Sequence, residues 1–338
     1  MQQKAVPRMS AHFPDHDTIE AALRMAIRAP SVHNTQPWRW RIGSDSLHLY
    51  ANRDLHLPST DPDGRDLLLS CGIALHHCVV ALAALGWQSK IHRQPDPYDS
   101  DHLAAVEVYP QSPSEVDVTL AAAIPHRQTD RRRFGPWGVP ASYIAQMGAR
   151  AARSGVMLRQ VESLPRLQGI VAQAAWRHAT DREYLTELTT WSGRYASKAG
   201  VPARNTPRDG LAAPVSRREF AGPALVEPFD KESARDDAVV LALGTRYDSV
   251  VSRLRAGEAT SLVLLTATAF GLASCPITEP LEIAVTREAV QTDVFGGSGF
   301  PQMLLRLGWA AVNADPLPLT PRRPLQDVVE YLDGSAFA

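Results

Sequence analysis

The sequence is poor in cysteine and has no long uninterrupted run of apolar residues. Its 338 residues include three cysteines, Cys71, Cys78 and Cys275, which form no C-x-x-C pair and cannot all be bridged to one another. This cysteine content favours a reducing compartment, the cytoplasm. The longest apolar stretch, residues 262–273, is interrupted by threonines and is too short to span a bilayer. The amino terminus lacks the apolar core of a signal peptide. We therefore expect a cytoplasmic protein with no membrane partner.

The sequence also lacks an excess of either charge and the glycine-rich motifs of nucleotide-binding enzymes. It has 35 Lys and Arg against 36 Asp and Glu, a formal net charge of -1, so no global field attracts nucleic acid. No G-x-G-x-x-G follows a predicted strand, and no G-x-x-x-x-G-K-[ST] occurs. His76 and His77 are adjacent on a predicted helix, where neighbouring side chains point about 100° apart, so no metal site is predicted.

A dense polar loop follows the first predicted helix. Residues 19–28 carry apolar side chains at helical spacing, Pro30 ends the helix, and residues 31–38 read S-V-H-N-T-Q-P-W. Most of these side chains offer hydrogen-bonding groups, and the tryptophan supplies a large anchor. The residues alone leave two interpretations open: a capped turn fixed by the tryptophan, or a ligand-binding loop.

An alternating basic segment, H-R-Q-T-D-R-R-R-F, opens the second part of the chain. In an extended conformation Arg127, Thr129 and Arg131 point to one side. Two guanidinium groups and a hydroxyl on one face suit a phosphate, and a solvated basic stretch is the alternative. A second basic pair, Arg322 and Arg323, lies between two prolines, where it is either a further phosphate contact or a charged turn.

Two segments of the chain align with each other without gaps. Gly72 matches Gly257 and Gly86 matches Gly271, with small apolar residues between them in both segments. Each segment predicts a buried helix that ends at its second glycine, followed by a short apolar strand. Outside these segments the pattern predicts helices over 141–153, 166–191 and 325–332, and a strand over 238–244.

Four parts of the sequence resemble the FMN-dependent nitroreductase family. Residues 31–38 resemble its S-x-x-N-x-Q-P-W loop, and the basic segment resembles the R-x-[ST]-x-[RK] motif that holds the FMN phosphate. Residues 257–279 resemble the family's core helix and the segment along the flavin ring, and residues 303–325 resemble its last strand and C-terminal basic motif. The four occur in the family's order, and the chain resembles most closely the Acg-like branch, whose members are internally duplicated.

This resemblance implies an α+β, nitroreductase-like fold built from two fused half-domains. The first half, residues 1–122, has the polar loop without the basic motif, and the second, residues 123–338, has the motif without the loop. We therefore expect a pseudo-dimer within one chain, with one composite FMN site. The segment 193–228 has no apolar period and is predicted to be a loop. The resemblance implies that this segment, the lid segment, covers the flavin.

The resemblance also assigns a site and an activity. The residues expected to bind the cofactor are Arg28, Pro30, Ser31, Val32, His33, Asn34, Gln36, Arg127, Thr129, Arg131, Pro276, Ile277, Thr278, Arg322 and Arg323. No catalytic side chain is predicted. The implied reaction carries hydride from NADPH or NADH to flavin N5, near the Thr278 amide, and on to a nitroaromatic or quinone-type acceptor. The alternative is a catalytically silent protein that stores or sequesters FMN under the lid segment. A monomer is expected, with a homodimer of such chains as the alternative.

Overall fold

The structure, a computed structural model, describes residues 13–193, 197–208, 218–226 and 236–337. In those ranges the helices are α1 (His16–Ala26), α2 (Arg65–Ala84), α3 (Glu115–Ala123), α4 (Ala141–Arg153), α5 (Leu164–Ala179), α6 (Arg182–Trp191), α7 (Val250–Ala269), α8 (Glu279–Glu282) and α9 (Ala284–Phe295). The strands are β1 (Trp38–Ile42), β2 (Ser46–Ala51), β3 (Trp87–Arg93), β4 (His102–Pro110), β5 (Met157–Gln160), β6 (Val239–Thr245), β7 (Ala273–Ile277), β8 (Phe300–Gly308) and β9 (Val329–Tyr331). This mixture of helices and largely antiparallel sheets is the predicted α+β class.

Two sheets form the framework, and one strand crosses between the two halves of the sequence. The first sheet has the order β3-β4-β2-β1-β9 and the second the order β5-β6-β8-β7. β9 pairs in parallel with β1, so a strand from residues 329–331 completes the sheet of the first half. The helix predicted over 325–332 is therefore wrong. Val329 and Tyr331 are buried on either side of a half-buried Glu330, the period-two pattern of a strand.

The long helix predicted over 166–191 is two helices. α5 ends at Ala179, and the Asp181 side chain accepts hydrogen bonds from the amides of Glu183 and Tyr184 to begin α6. An aspartate at this position satisfies amides that have no partner within the new helix. The sequence analysis did not separate the two because the apolar pattern of α5 continues into α6.

The two helices predicted from the internal alignment, α2 and α7, pack against each other at the centre of the molecule. A Cβ atom on Gly72 would lie 2.2 Å from the Leu254 carbonyl oxygen, and one on Gly257 would lie 2.2 Å from that of Leu69. The two backbones are therefore in direct contact, which only glycine permits. The closing glycines of both segments, Gly86 and Gly271, have positive φ, as predicted for helix ends.

α2 is also long and apolar enough to cross a membrane by length and composition, and 78% of its most apolar window is buried inside the protein. α1, α7 and the first sheet surround this helix, so its apolar side chains are buried on all sides. The sequence analysis, which considered only residues 262–273, did not note this stretch. Cys71 and Cys78, predicted to be core residues, are buried in it without a bridge.

A buried ion pair joins β3 to α7, and a substitution that breaks it tests its contribution to the free energy of unfolding. Arg93 Nε and Nη2 donate to the Glu258 carboxylate at 2.7 and 2.6 Å, and the two side chains are 21% and 8% exposed. We expect Arg93→Met to lower the free energy of unfolding by about 2–3 kcal/mol, because it leaves a buried carboxylate unpaired. The control on the same strand is Lys90→Met, whose pair with Glu107 is 61% and 39% exposed. Lys90→Met should lower the free energy of unfolding, measured by urea denaturation, by less than about 0.5 kcal/mol. Equal losses in Arg93→Met and Lys90→Met would contradict the expectation.

Candidate functional site

The polar loop before β1 has an unusual backbone. His33, Asn34 and Gln36 have φ of 44°, 55° and 58°, the left-handed region that costs non-glycine residues about 1–2 kcal/mol each. Such a conformation persists only where surrounding contacts fix it. The Ser31 hydroxyl accepts from the Gln36 amide at 2.9 Å, and the Ser70 hydroxyl of α2 accepts from the Val32 amide at 3.2 Å.

The amide side chains of this loop hold two distant segments in place. Asn34 Nδ2 donates to the carbonyl oxygens of Gly200 and Pro321 at 3.0 and 3.1 Å. Gln36 is fully buried, donates to the Lys198 carbonyl at 3.0 Å and accepts from the Arg323 amide at 2.7 Å. These bonds join the loop to the lid segment and to the C-terminal basic pair. The loop is therefore an ordered turn, as the first interpretation predicts, and its role in ligand binding stays a prediction.

The loop, the basic segment and β7 surround one cleft with two chambers. The apolar chamber, with about 950 Å³ of empty volume, is lined by Pro30, Ser31, Val32, His33, Asp66, Leu69, Ser70, Ile73, Thr129, Arg131, Arg218, Phe220, Cys275, Pro276, Ile277, Thr278, Glu279, Met303 and Arg306. The arginine chamber, with about 870 Å³, is lined by Arg28, Pro30, Ser31, Asn34, Arg127, Gln128, Thr129, Arg131, Val201, Pro202, Asn205, Leu319, Thr320 and Arg322. The structure thus brings together the predicted residues except Gln36 and Arg323, which lie outside both linings.

The basic segment is extended, as predicted, and its side chains alternate between cleft and core. Thr129 forms a parallel bridge with Ser274, and Thr129 and Arg131 line the cleft. Arg132 points the other way and forms a buried ion pair with Asp130 at 2.8 Å. Arg127 lines the cleft and is only 5% exposed, so the alternative of a solvated basic stretch is wrong for this residue.

Positive charge accumulates in the arginine chamber without a balancing carboxylate in its lining. Within the described residues, Nε and Nη1 of Arg127 are buried and have no hydrogen-bond partner. Burial, followed by the charge of Arg28, lowers the pKa of Arg127 to about 10. Burial, Arg127 and Arg28 lower the pKa of Arg322 to about 9. Both values lie above neutral pH, so crowded guanidinium cations face the same space. Such a chamber is suited to an anion with several acceptor oxygens.

Two residues of the lid segment, Arg218 and Phe220, line the apolar chamber. The Phe220 ring packs edge-on against His33, with centroids 5.7 Å apart, and lies 4.8 Å from the Arg131 guanidinium carbon. Arg218 forms buried hydrogen bonds to Glu282 and to His33 Nε2, and donates to Thr278 Oγ1 at 3.3 Å. Residues 194–196, 209–217 and 227–228 of the predicted lid segment lie outside the described residues.

This lid contact sets the protonation of its neighbours. Burial and the cations Arg218 and Arg131 lower the pKa of His33 well below its usual value, so the imidazole is neutral. Although burial opposes it, the charges of Glu282 and Glu279 raise the pKa of Arg218, which stays charged. Arg218 was not predicted from the sequence, because no periodicity or motif in the lid segment distinguishes it.

Comparison with known proteins was made for the sequence and for the structure. No protein-family profile matches the chain. A Mycobacterium tuberculosis H37Rv protein named "Putative NAD(P)H nitroreductase Rv3131" is 62% identical over 328 residues, covering 97% of this chain and 95% of the relative. A second protein of that strain, "Putative NAD(P)H nitroreductase acg", is 35% identical over 321 residues, covering 92% and 95%. A nitroreductase from Bacteroides fragilis solved with bound FMN has a TM-score of 0.39 at 14% identity, covering 60% of this chain and 93% of that one.

Proposed function

Because this chain belongs to the NAD(P)H nitroreductase family, we propose that it is an FMN-dependent oxidoreductase whose cofactor lies in the two-chambered cleft. The observation that carries the proposal is the buried Arg127 guanidinium, with unpartnered nitrogens, in a chamber lined by cations and no carboxylate. That chamber opens into an apolar one through shared residues, among them Thr129 and Arg131. FMN carries a phosphate dianion at one end and a flat, largely apolar ring at the other, so its two ends match the two chambers.

The residues present fit each part of this cofactor. Arg127, Thr129, Arg131 and Arg322 would hold the phosphate. Residues 30–33 would line the ring from one side of the cleft and residues 276–278 from another. When bound, FMN supplies a ring that accepts a hydride and passes it on. The protein's own contribution is to orient the ring between β7 and the polar loop and to exclude water with Phe220.

The proposed reaction takes hydride from NADPH or NADH and delivers it to a nitroaromatic or quinone-type acceptor. We propose one FMN for each chain, because one cleft combines the polar loop of residues 1–122 with the basic motif of residues 123–338. The matched contact of Gly72 with Gly257 supports the interpretation that the two halves are a fused pair. The cytoplasmic location stays a prediction.

Storage or sequestration of FMN is the second candidate, and the lid contact favours it. Phe220 and Arg218 line the same chamber that the ring would occupy. If this cover stays closed over a bound flavin, nicotinamide cannot reach the ring and the protein holds FMN without turnover. The two candidates share a binding site and differ only in access to it.

The test is the visible absorbance spectrum of the purified protein, recorded anaerobically before and after NADPH is added. Flavin bands that bleach support the oxidoreductase, and acceptors can then be screened. Bands that persist support sequestration. A colourless protein that FMN does not reconstitute would refute both candidates.

Removing the Phe220 ring should open the cleft. We expect Phe220→Ala to increase the rate of flavin bleaching by NADPH by about tenfold or more, because loss of the contacts with His33 and Arg131 favours the open lid by at least about 1.4 kcal/mol. The matched control is Val226→Ala in the same segment, since Val226 is 67% exposed. Stopped-flow absorbance measures both. Equal rates in the two variants would show that Phe220 does not limit access.

A further inference from the structure

One acidic side chain of the cleft was not among the predicted site residues. Asp66 lies in the first turn of α2, is 3% exposed and lines the apolar chamber. Neither of its carboxyl oxygens has a hydrogen-bond partner within the described residues. A buried ionised carboxylate without a donor is costly, whereas a protonated carboxyl needs only an acceptor for its O–H. The space in front of it is the space proposed for the cofactor and the acceptor.

The neighbours of Asp66 are better placed than it is to carry negative charge. Asp61 Oδ2 accepts the Leu67 amide at 2.9 Å at the beginning of α2, where the helix dipole favours an anion. Glu282 accepts from Thr278 Oγ1 at 2.7 Å and pairs with Arg218. Asp66 therefore lies near two carboxyl groups that each accept hydrogen bonds, and within the described residues it accepts none itself.

The hydrogen bonds that the cations near Asp66 make go to other groups, although Arg65 Nε has no hydrogen-bond partner within the described residues. Arg65 donates through Nη1 to the Leu281 carbonyl at 3.1 Å and through Nη2 to the Pro301 carbonyl at 2.8 Å. Arg218 is held by Glu282 and His33. Burial, then the charges of Asp61 and Glu282, raise the pKa of Asp66 well above its usual value, and the opposing influence of Arg65 and Arg218 is smaller.

We propose that Asp66 is the proton donor of the cleft, which keeps its carboxyl protonated at neutral pH and transfers that proton to an oxygen atom of the acceptor. This inference rests on the proposed function and departs from the expectation that no side chain acts as an acid. It favours acceptors whose reduction creates an O–H bond, such as quinones.

The step balances for a quinone, which takes one hydride and one proton to become a hydroquinone. The hydride equivalent comes from NAD(P)H in the proposed function. The O–H bond of Asp66 breaks as an O–H bond forms on the quinone oxygen, and the carboxylate then regains a proton from water.

The kinetic test separates the two half-reactions in Asp66→Asn. Hydride transfer from NADPH requires no proton from Asp66, so anaerobic bleaching should be slowed far less than reoxidation. Reoxidation by p-benzoquinone should be slower by roughly 100-fold, the ordinary contribution of a positioned acid. Asp54→Asn, at an exposed position, is the control and should change neither rate. Unchanged reoxidation in Asp66→Asn would overturn the proposal.

The protonation state has a readout that needs neither flavin nor turnover. Infrared spectra of the unaltered protein at pH 7 should contain the C=O band of a protonated carboxylic acid. Difference spectra between this protein and each variant should show that the band is lost in Asp66→Asn and kept in Asp54→Asn. In Asp61→Asn, where a neutral side chain replaces the neighbouring acid, the band should titrate away at lower pH. Absence of an Asp66-dependent band overturns the inference even if the protein binds FMN. A colourless protein with the band intact refutes the proposed function and leaves the protonated Asp66 in place.

Discussion

Replacing both Arg127 and Arg131 with alanine will abolish flavin retention. A hydrogen bond to a charged group contributes about 1.5–3 kcal/mol, so two that are lost together cost about 3–6 kcal/mol of binding free energy. That corresponds to a Kd roughly 10²- to 10⁴-fold higher, enough to strip the cofactor during purification. The measurements are flavin absorbance per protein after gel filtration, and fluorescence titration of the apoprotein with FMN.

The control variant loses the same two positive charges, but from exposed positions outside the cleft. Arg153→Ala with Arg182→Ala removes two exposed arginines and should leave the protein yellow. Stability provides a second check, because Arg127 and Arg322 repel each other in the empty cleft. The apo form of the Arg127 and Arg131 double variant should therefore unfold at no lower urea concentration than the unaltered apoprotein. A double variant that purifies fully yellow would refute the assignment of these two residues to the phosphate.

A single methyl group at Gly72 should destabilise the whole molecule. Gly72→Ala places a Cβ atom 2.2 Å from the Leu254 carbonyl oxygen, and backbone atoms cannot move aside as a flexible side chain does. α2 and α7 must separate, which opens the centre of the core. We expect a loss of about 3 kcal/mol or more in the free energy of unfolding, even after the gain of up to about 1 kcal/mol in helix propensity.

Gly169→Ala is the matched control. Gly169 lies within α5, and a Cβ atom there would meet nothing within 4 Å. This change should stabilise the protein by about 0.5–1 kcal/mol, so the two substitutions are expected to have opposite signs. Gly257→Ala should reproduce the loss seen at Gly72, because its Cβ would meet the Leu69 carbonyl oxygen at the same distance. Urea denaturation monitored by circular dichroism distinguishes these outcomes, and a neutral Gly72→Ala would contradict direct backbone contact.

The parts of the cleft that could be predicted from the sequence are those whose side chains lie close to one another along the chain. The basic segment shows its alternation within five residues, and the polar loop concentrates its hydrogen-bonding groups within eight. Asn34 lines the cleft and Gln36 lies outside its lining, and their side chains donate to backbone groups more than 160 residues away. No local pattern shows such partners. Gln36 therefore supports the cleft from behind, where the sequence predicted a residue on its lining.

The residues that the sequence did not indicate owe their position to distant partners. Arg218 lies in a segment without periodicity and is fixed by Glu282, 64 residues away. Asp66 stands in the first turn of a helix, where an acidic residue is common, and only tertiary packing makes it a buried acid facing a cleft. The strand at 329–331 was predicted to be a helix because its partner strand, β1, is distant in sequence. Apolar spacing in so short a segment does not distinguish the two periods.

Because β9 pairs with β1, the first sheet cannot be completed on the ribosome until residues 329–331 have been synthesised. Until residues 329–331 emerge, β1 is an edge strand with unpaired amide and carbonyl groups, a template for association with other chains. The bonds from Asn34 to the Pro321 carbonyl and from the Arg323 amide to Gln36 form in the same late step. Nascent chains therefore expose this edge from the synthesis of β1 until residues 329–331 emerge. The contacts that join the two parts of the cleft have high sequence separation, which slows their formation.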